Sequence, residues 1–243
     1  MADRFHLPGP WNGEVLRLEG DEGRHLARVR RIPEGSVVEV FSGDGEIWRV
    51  RVESIDKHGV GLRRIEPVED TRVAPCRLTL ATAFAKGDRV DWLVEKATEL
   101  GVERIVPLLT ERSVVDPRTA KLDRLRRVVI EATKQCGRGR LTEIVEPVSW
   151  DRFAADAGSG ADLLVIAHPG KQRGAARIRA GKGSKVVVAI GPEGGFTDAE
   201  IDRARGLGWC PIDLGPTILR IETAAIVATA RILAEVESQE ELA

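Results

Sequence analysis

Ile190-Gly191-Pro192-Glu193-Gly194-Gly195-Phe196 is the stretch on which the reading of this chain turns. It follows a nearly unbroken apolar run over 185–190, the pattern of a strand buried on both faces of a parallel sheet. It precedes Thr197-x-x-Glu200, a capping box that opens a helix expected over 197–207. That order puts the loop at the carboxyl end of a strand, where open α/β sheets bind ligands. Glycines there let the backbone take φ > 0 and approach a ligand closely.

Two further stretches repeat the arrangement. A short strand over 211–214 runs into Leu214-Gly215-Pro216-Thr217-Ile218-Leu219-Arg220, and a strand over 162–167 ends in Ala167-His168-Pro169-Gly170. Three such loops are expected to line one pocket, although Gly-Pro pairs also make plain sharp turns. Neither the Gly-Lys-Ser/Thr of a P-loop nor the dinucleotide fingerprint G-x-G-x-x-G is present. The loops therefore suit backbone contacts to an adenine or a ribose better than a phosphate cradle.

Outward from these loops, strands alternate with helices from about residue 71 onward. Strands are expected over 77–84 and 104–108. Helices are expected over 88–100, with Val90, Leu93, Val94 and Ala97 on one face, over 119–135, with Leu122, Leu125, Val129 and Ala132 inward, and over 222–237. This is an α/β domain spanning 71–243. Residues 1–70 read differently. Short half-buried strands over 14–18, 36–41, 46–55 and 59–65, broken by a helix over 21–31 and Gly-rich turns, predict a small barrel. The polar, proline-bounded segment 66–75 reads as the linker.

Composition narrows the function class. The 243 residues hold 37 Lys and Arg against 38 Asp and Glu, so net charge says nothing about an acidic partner. No secretory leader and no run of 18 apolar residues is visible, which predicts a cytoplasmic protein without a membrane span. Three scattered cysteines, Cys76, Cys136 and Cys210, fit neither a disulfide framework nor a zinc site, and no metal is expected. The absence of tyrosine argues against aromatic base-stacking platforms.

IGPEGGF followed by LGPTILRIETAA resembles the RsmE-type methyltransferases of the SPOUT class, which act on N3 of a uridine in 16S rRNA. Arg4-Phe5-His6, the block from His25 to Arg31, Lys86-Gly87-Asp88-Arg89, Glu95 to Gly101, Glu111-Arg112-Ser113 and Gln135-Cys136-Gly137-Arg138 resemble further family blocks in the same order. The resemblance implies a PUA-like β-barrel that binds RNA, then a SPOUT domain with a C-terminal trefoil knot. Threaded chains are rare exceptions among folds, and nothing in the composition points to a knot.

It also implies a homodimer and S-adenosyl-L-methionine as cofactor, held by Ala167, His168 and Pro169, by Ile190, Gly191, Pro192, Glu193, Gly194 and Gly195, and by Leu214, Gly215, Pro216, Ile218 and Leu219. His168 and Glu193 equally suit loop-fixing roles. Methyl transfer to a ring nitrogen requires loss of its proton and leaves negative charge on flanking oxygens, which a cation stabilises. Arg220 is the candidate cation; a structural arginine that pairs with Glu222 or caps carbonyls is its other reading. Glu222 is the candidate base, or a residue that fixes the knot. Two positions depart from the family pattern: Thr217, where arginine is common, and Ile221, where threonine is common.

For the RNA, whether free small-subunit rRNA or the assembled small subunit, local charge offers two runs. One lies over 118–140 and includes Arg118, Lys121, Arg124, Arg126, Arg127, Lys134, Arg138 and Arg140. The other lies over 171–185, with Lys171, Arg173, Arg177 and Arg179 and no acid. Arg4, His25 and Arg31 are weaker candidates, His25 reading by default as a core histidine. The alternatives are a SPOUT enzyme acting elsewhere on RNA and a non-catalytic ribosome-assembly factor.

Overall fold

The structure, a computed structural model, describes residues 3–119, 122–169 and 180–240. It divides into two compact units, Met1–Val73 with Ile130–Leu141, and Ala74–Val129 with Thr142–Ala243. Lys121, Gly170, Lys171, Arg173, Arg177 and Arg179 lie outside the described residues.

In the first unit, β1 (Arg4–His6), β2 (Val15–Leu18), β3 (Val37–Phe41), β4 (Ile47–Asp56) and β5 (Gly59–Pro67) form one sheet in the order β1-β3-β4-β5-β2. Alternation sets its inner face. Leu16, Leu18, Val38, Val40, Val50, Val52, Val60 and Leu62 are buried around Phe5 and Leu26, while Arg17, Arg51 and Arg63 beside them are exposed. The barrel expected from the sequence takes the form of a half-barrel, because the end strands β1 and β2 do not pair with each other among the described residues. The expected helix over 21–31 is two pieces, α1 (Gly20–Arg24) and a π-helical turn (His25–Val29), after which Arg31 takes φ 52°.

Segment 130–141 joins this unit through polar contacts that sequence reading assigned elsewhere. The Lys134 ammonium lies 3.0 Å from Glu22, 3.0 Å from Glu131 and 3.4 Å from His25 Nδ1. These three acceptors have the spacing of a metal site, but the ammonium already fills the cation position. Asp70 accepts from the Gly139 N–H at 2.8 Å, and the Arg72 guanidinium donates to Gly137 O at 3.3 Å. Arg4 is sunk in the same region. Its side chain is 3% exposed, 3.1 Å from Glu39, and donates to Arg138 O at 3.3 Å. Burial pulls its pKa below the ordinary arginine value, and Glu39 pulls it back up. Arg4 and Arg138, both expected at RNA, are buried inside the unit.

The second unit is a parallel sheet. Its strands are β6 (Arg77–Thr82), β7 (Arg104–Leu109), β8 (Glu143–Ile144), β9 (Val148–Ser149), β10 (Leu163–Ala167), β11 (Lys185–Ile190) and β12 (Cys210–Ile212). They run β12-β10-β11-β6-β7-β8, with β9 also on β7. The helices are α2 (Arg89–Glu99), α3 (Leu122–Cys136), α4 (Trp150–Asp156), α5 (Asp198–Gly206) and α6 (Ile221–Glu240), and α3 crosses the division between the units. Ala81, Val187, Ala189 and Ile166 pack with Trp150, Ala154, Ile201 and Ala204 of α4 and α5. Val186, Val188 and Ile190, on the alternate positions of β11, are equally buried, and α6 contacts β6, β11 and α2. Burial on both faces explains the apolar runs of β10 and β11. The short β8, β9 and α4 were not anticipated. None of the described helices is long and apolar enough to cross a membrane.

Replacing Arg4 by methionine leaves the Glu39 carboxylate partly buried without its cation. An unfolding free energy lower by about 3 kcal/mol is expected from denaturant titration; a loss near zero would mean that solvent satisfies Glu39.

Candidate functional site

β12, β10 and β11 are neighbours and parallel, so their carboxyl ends lie side by side. Ala167 of β10 pairs with Ile212 of β12, and Ile166 with Ala189 of β11. The loops that leave these ends enclose a cavity of about 300 Å³, a size suited to a small ligand. All three expected loops line it: Ala167, His168 and Pro169; Ile190, Gly191, Pro192, Glu193, Gly194 and Gly195; Leu214, Gly215, Pro216, Thr217, Ile218 and Leu219. Asp213, Ile221 and Ala224 complete the wall.

Each loop is fixed by local chemistry. The His168 N–H donates to Ile212 O at 3.0 Å, continuing the β10–β12 ladder into the first loop. In the second, the Gly195 N–H donates to Pro192 O at 2.8 Å, closing a turn that needs φ +68° at Gly195. A Cβ at Gly191 would stand 3.0 Å from the Phe196 ring, which is buried 4.7 Å from Trp150. In the third, Asp213 accepts from the Gly215 N–H at 2.9 Å, and Arg231 donates to Asp213 O at 3.0 Å. Gly215 has φ +128°, and a Cβ at Gly195 or Gly215 meets no protein atom within 4 Å. Packing does not impose these two glycines; the turns that shape the cavity do.

The helix that follows the second loop keeps its own N-terminus occupied. Thr197 Oγ1 accepts from the Glu200 N–H at 3.2 Å, and Glu200 Oε2 accepts from the Thr197 N–H at 2.8 Å. Glu200 Oε1 takes the Glu111 N–H at 3.0 Å. A phosphate at this helix end would compete with a buried carboxylate, so the absence of phosphate motifs in the sequence has a structural counterpart.

Two arginines missing from the sequence-level site brace the second loop from outside. Arg112 donates to Gly194 O at 2.9 Å, and its aliphatic stem lies where a Cβ on Gly194 would sit, at 3.3 Å. Arg89 stands between two carboxylates, 4.0 Å from Glu193 and 3.8 Å from Glu222. Their signal in the sequence was membership of the blocks around 86–89 and 111–113. Glu222 is buried, and its Oε2 has no hydrogen-bond partner. Arg220 and Glu222 flank the cavity-lining Ile221 without lining the cavity themselves. The structural alternative for Arg220, a pair with Glu222, is absent among the described residues: Arg89 takes that place and Arg220 is exposed.

Of the basic residues expected over 118–140, Arg118 pairs with Asp116, Arg124 with Asp88 and Asp91, Arg126 with Asp123, and Lys134 with Glu22 and Glu131. Arg127 and Arg140 of the same run form no ion pair with a carboxylate among the described residues, so the run is neutralised in part. Arg31 is exposed, and His25 lies edge-on to Phe5 at 6.0 Å, as a core histidine does. A larger cleft of about 760 Å³ opens by the amino-terminal ends of β6, β7 and β11. Its arginines are already committed, Arg77 to Glu103 and Arg104 to Glu143, and it lies away from the strand ends where α/β sheets hold ligands.

Gly195→Ala forces an L-residue into the left-handed region and should lower the unfolding free energy by about 1 kcal/mol. Gly206→Ala, in helical backbone with open space around it, should leave stability unchanged or raise it. Equal effects at the two sites would show that the turn tolerates an L-residue.

A family model described as an RNA methyltransferase domain matches residues 72–233, and one described as an RNA methyltransferase PUA domain matches residues 18–63. The chain is similar to a Synechocystis sp. protein named ribosomal RNA small subunit methyltransferase E. The two are 36% identical over 217 residues, 88% of this chain and 71% of that one. A Legionella pneumophila methyltransferase solved with its bound cofactor SAM superposes with a TM-score of 0.87 at 34% identity, covering 96% of this chain and 98% of that one. A Neisseria gonorrhoeae ribosomal RNA small subunit methyltransferase E, solved with S-adenosyl methionine, has a TM-score of 0.84 at 28% identity, with coverage of 96% and 98%. The chain belongs to the RNA methyltransferase family that includes ribosomal RNA small subunit methyltransferase E.

Proposed function

We propose that this protein transfers a methyl group from S-adenosyl-L-methionine to N3 of a uridine in small-subunit rRNA. The observation that carries the reading is the convergence of three strand-end loops on one cavity of about 300 Å³, in a chain similar over nearly its whole length to proteins solved with that cofactor. The cavity suits the ligand. Its walls are backbone and apolar side chains, with His168, Glu193 and Asp213 as the titratable groups among them, and no phosphate has to be accommodated. The cofactor brings an electrophilic methyl on a sulfonium.

The protein's residues then divide the remaining work. The cavity loops place the cofactor, and positioning of this kind is worth about 7–11 kcal/mol when reacting atoms are aligned. Glu222 takes the N3 proton on its unpartnered Oε2, while Arg89 stands beside the other oxygen. Arg220, exposed and unpaired among the described residues, donates to the uracil oxygens on which charge builds. Thr217 offers no cation at the rim, so Arg220 carries that role without help from its loop.

The reading includes a half-barrel unit that binds RNA, a trefoil knot built from the loops around 167–169, 190–195 and 214–220, a homodimer, a cytoplasmic location and no metal. Lys171, Arg173, Arg177 and Arg179 complete the proposed RNA contacts, with Arg31 on the first unit.

Gly194→Val displaces the Arg112 stem and should weaken S-adenosylmethionine binding by at least roughly tenfold, about 1.4 kcal/mol, in a chain that still folds. Unchanged affinity by calorimetry would remove the second loop from the cofactor site. Arg220→Ala should lower kcat by roughly 10²–10³ with cofactor affinity retained, the loss expected for one oxyanion-type donor. An unaltered kcat would leave Arg220 without a role in the transfer step.

A further inference from the structure

The first unit holds a polar pocket of about 310 Å³ between α1 with its π turn and the turn that joins β4 to β5. Its floor is backbone. Gly20, Gly23 and Gly59 line it, and a Cβ built on Gly23 or on Gly59 would stand 2.5 Å from the Leu18 carbonyl oxygen, so neither of those two positions accepts a side chain. Its rim carries Arg24, Arg28, Lys57 and His58, all exposed.

The acids nearby are spoken for. Asp56 accepts two hydrogen bonds from the Arg17 guanidinium, at 2.6 and 2.8 Å, and one each from the N–H groups of His58 and Gly59. These bonds, Arg17 first, hold its carboxyl down to about 2. Asp21 pairs with Arg24. Arg28 and Lys57 have neither a hydrogen bond nor an ion pair among the described residues, so two uncompensated cations line one polar hollow. Like charges in that position repel until an anion enters between them.

We propose that this pocket is a phosphate-binding site for the RNA backbone. The inference rests on the reading of small-subunit rRNA as substrate and adds a contact point to it. Ala27 is the one apolar side chain among the lining residues, which leaves nothing to hold an acyl chain and favours RNA over a lipid surface. Backbone floor and cationic rim provide charge without base-reading groups, so the contact positions the RNA and leaves sequence choice elsewhere. The site also replaces what burial removed, since Arg4 and Arg138 are closed inside the same unit.

The test is the double variant R28E/K57E in the full chain. Its affinity for protein-free small-subunit rRNA is measured between about 50 and 200 mM salt. Loss of two contacts should reduce the slope of log K against log salt by about 1.4, at ~0.7 per contact for single-stranded RNA. Affinity should fall at least roughly tenfold at the low-salt end. S-adenosylmethionine affinity and melting temperature should stay at wild-type values. R28Q/K57Q, which adds no charge, should give a smaller loss in the same direction and guards against a folding artefact. A slope and affinity equal to wild type in both variants overturn the proposal while leaving the functional reading intact. A wild-type protein that binds S-adenosylmethionine but no rRNA overturns the substrate reading and this site with it. Charge-reversal loss of binding to phosphatidylserine vesicles, with rRNA binding untouched, would assign the pocket to lipid and overturn the proposal.

Discussion

The parallel register of β12, β10 and β11 is the constraint from which the rest of the second unit follows. Ala167 and Ile212 end their strands opposite each other, and Ile190 ends β11 one residue beyond the pair Ile166–Ala189. Slipping β10 by one residue would turn Val165 from one face of the sheet to the other and offset its loop from its neighbours. Burial on both faces makes that slip costly, so the apolar runs that stabilise the sheet also align the three loops. Stability and site geometry are set by the same side chains.

Around this frame, polar groups hold the glycine loop without entering it. Glu200 is buried, yet both of its oxygens accept backbone N–H groups, from Thr197 and from Glu111. A buried carboxylate satisfied in this way ties the strand end of β7 to the start of α5. Arg112 adds a bond to the Gly194 carbonyl. The loop carrying Gly194 and Gly195 is thereby ordered by contacts made before any ligand arrives, which reduces the entropy lost on binding. Glu222 contrasts with Glu200. One of its oxygens has only the loose approach of Arg89, and the other has no partner. An unsatisfied buried acceptor is costly, and Glu222 Oε2 is the one carboxylate oxygen among the buried side-chain atoms left without a partner in the described residues.

The second unit was more legible in the sequence than the first. Strands β10 and β11, the capping box at Thr197 and the three glycine loops announce themselves within short windows, because strand burial, helix capping and left-handed turns are local properties. What stayed hidden depends on partners distant in sequence. Arg4 reads as a free cation until Glu39 and the Arg138 carbonyl are placed against it. Lys134 sits in a basic run, but its acceptor Glu22 lies 112 residues away. The first part of segment 130–141 continues the regular helix α3 to Cys136, so nothing local reveals that it packs with the half-barrel. The π turn after α1 likewise has no periodic signature that sets it apart from an α-helix.

Charge shows the same limit and what lifts it. Cations and acids nearly balance over the whole chain, and clusters of arginine in sequence invite assignment to RNA. Once pairs are drawn, Arg118, Arg124 and Arg126 are matched by aspartates close by, and Arg77 and Arg104 by glutamates. A matched surface cation has little field left at the distance of a phosphate, because its partner and the solvent screen it. The field that steers a polyanion therefore comes from the unmatched few. Among the described residues Arg220, beside the strand-end cavity, and Arg28 with Lys57, at the glycine-floored pocket, lack such partners, and neither place is the densest basic run in the sequence. Which cations lack a carboxylate is a property of the folded chain that counting residues along the sequence does not supply.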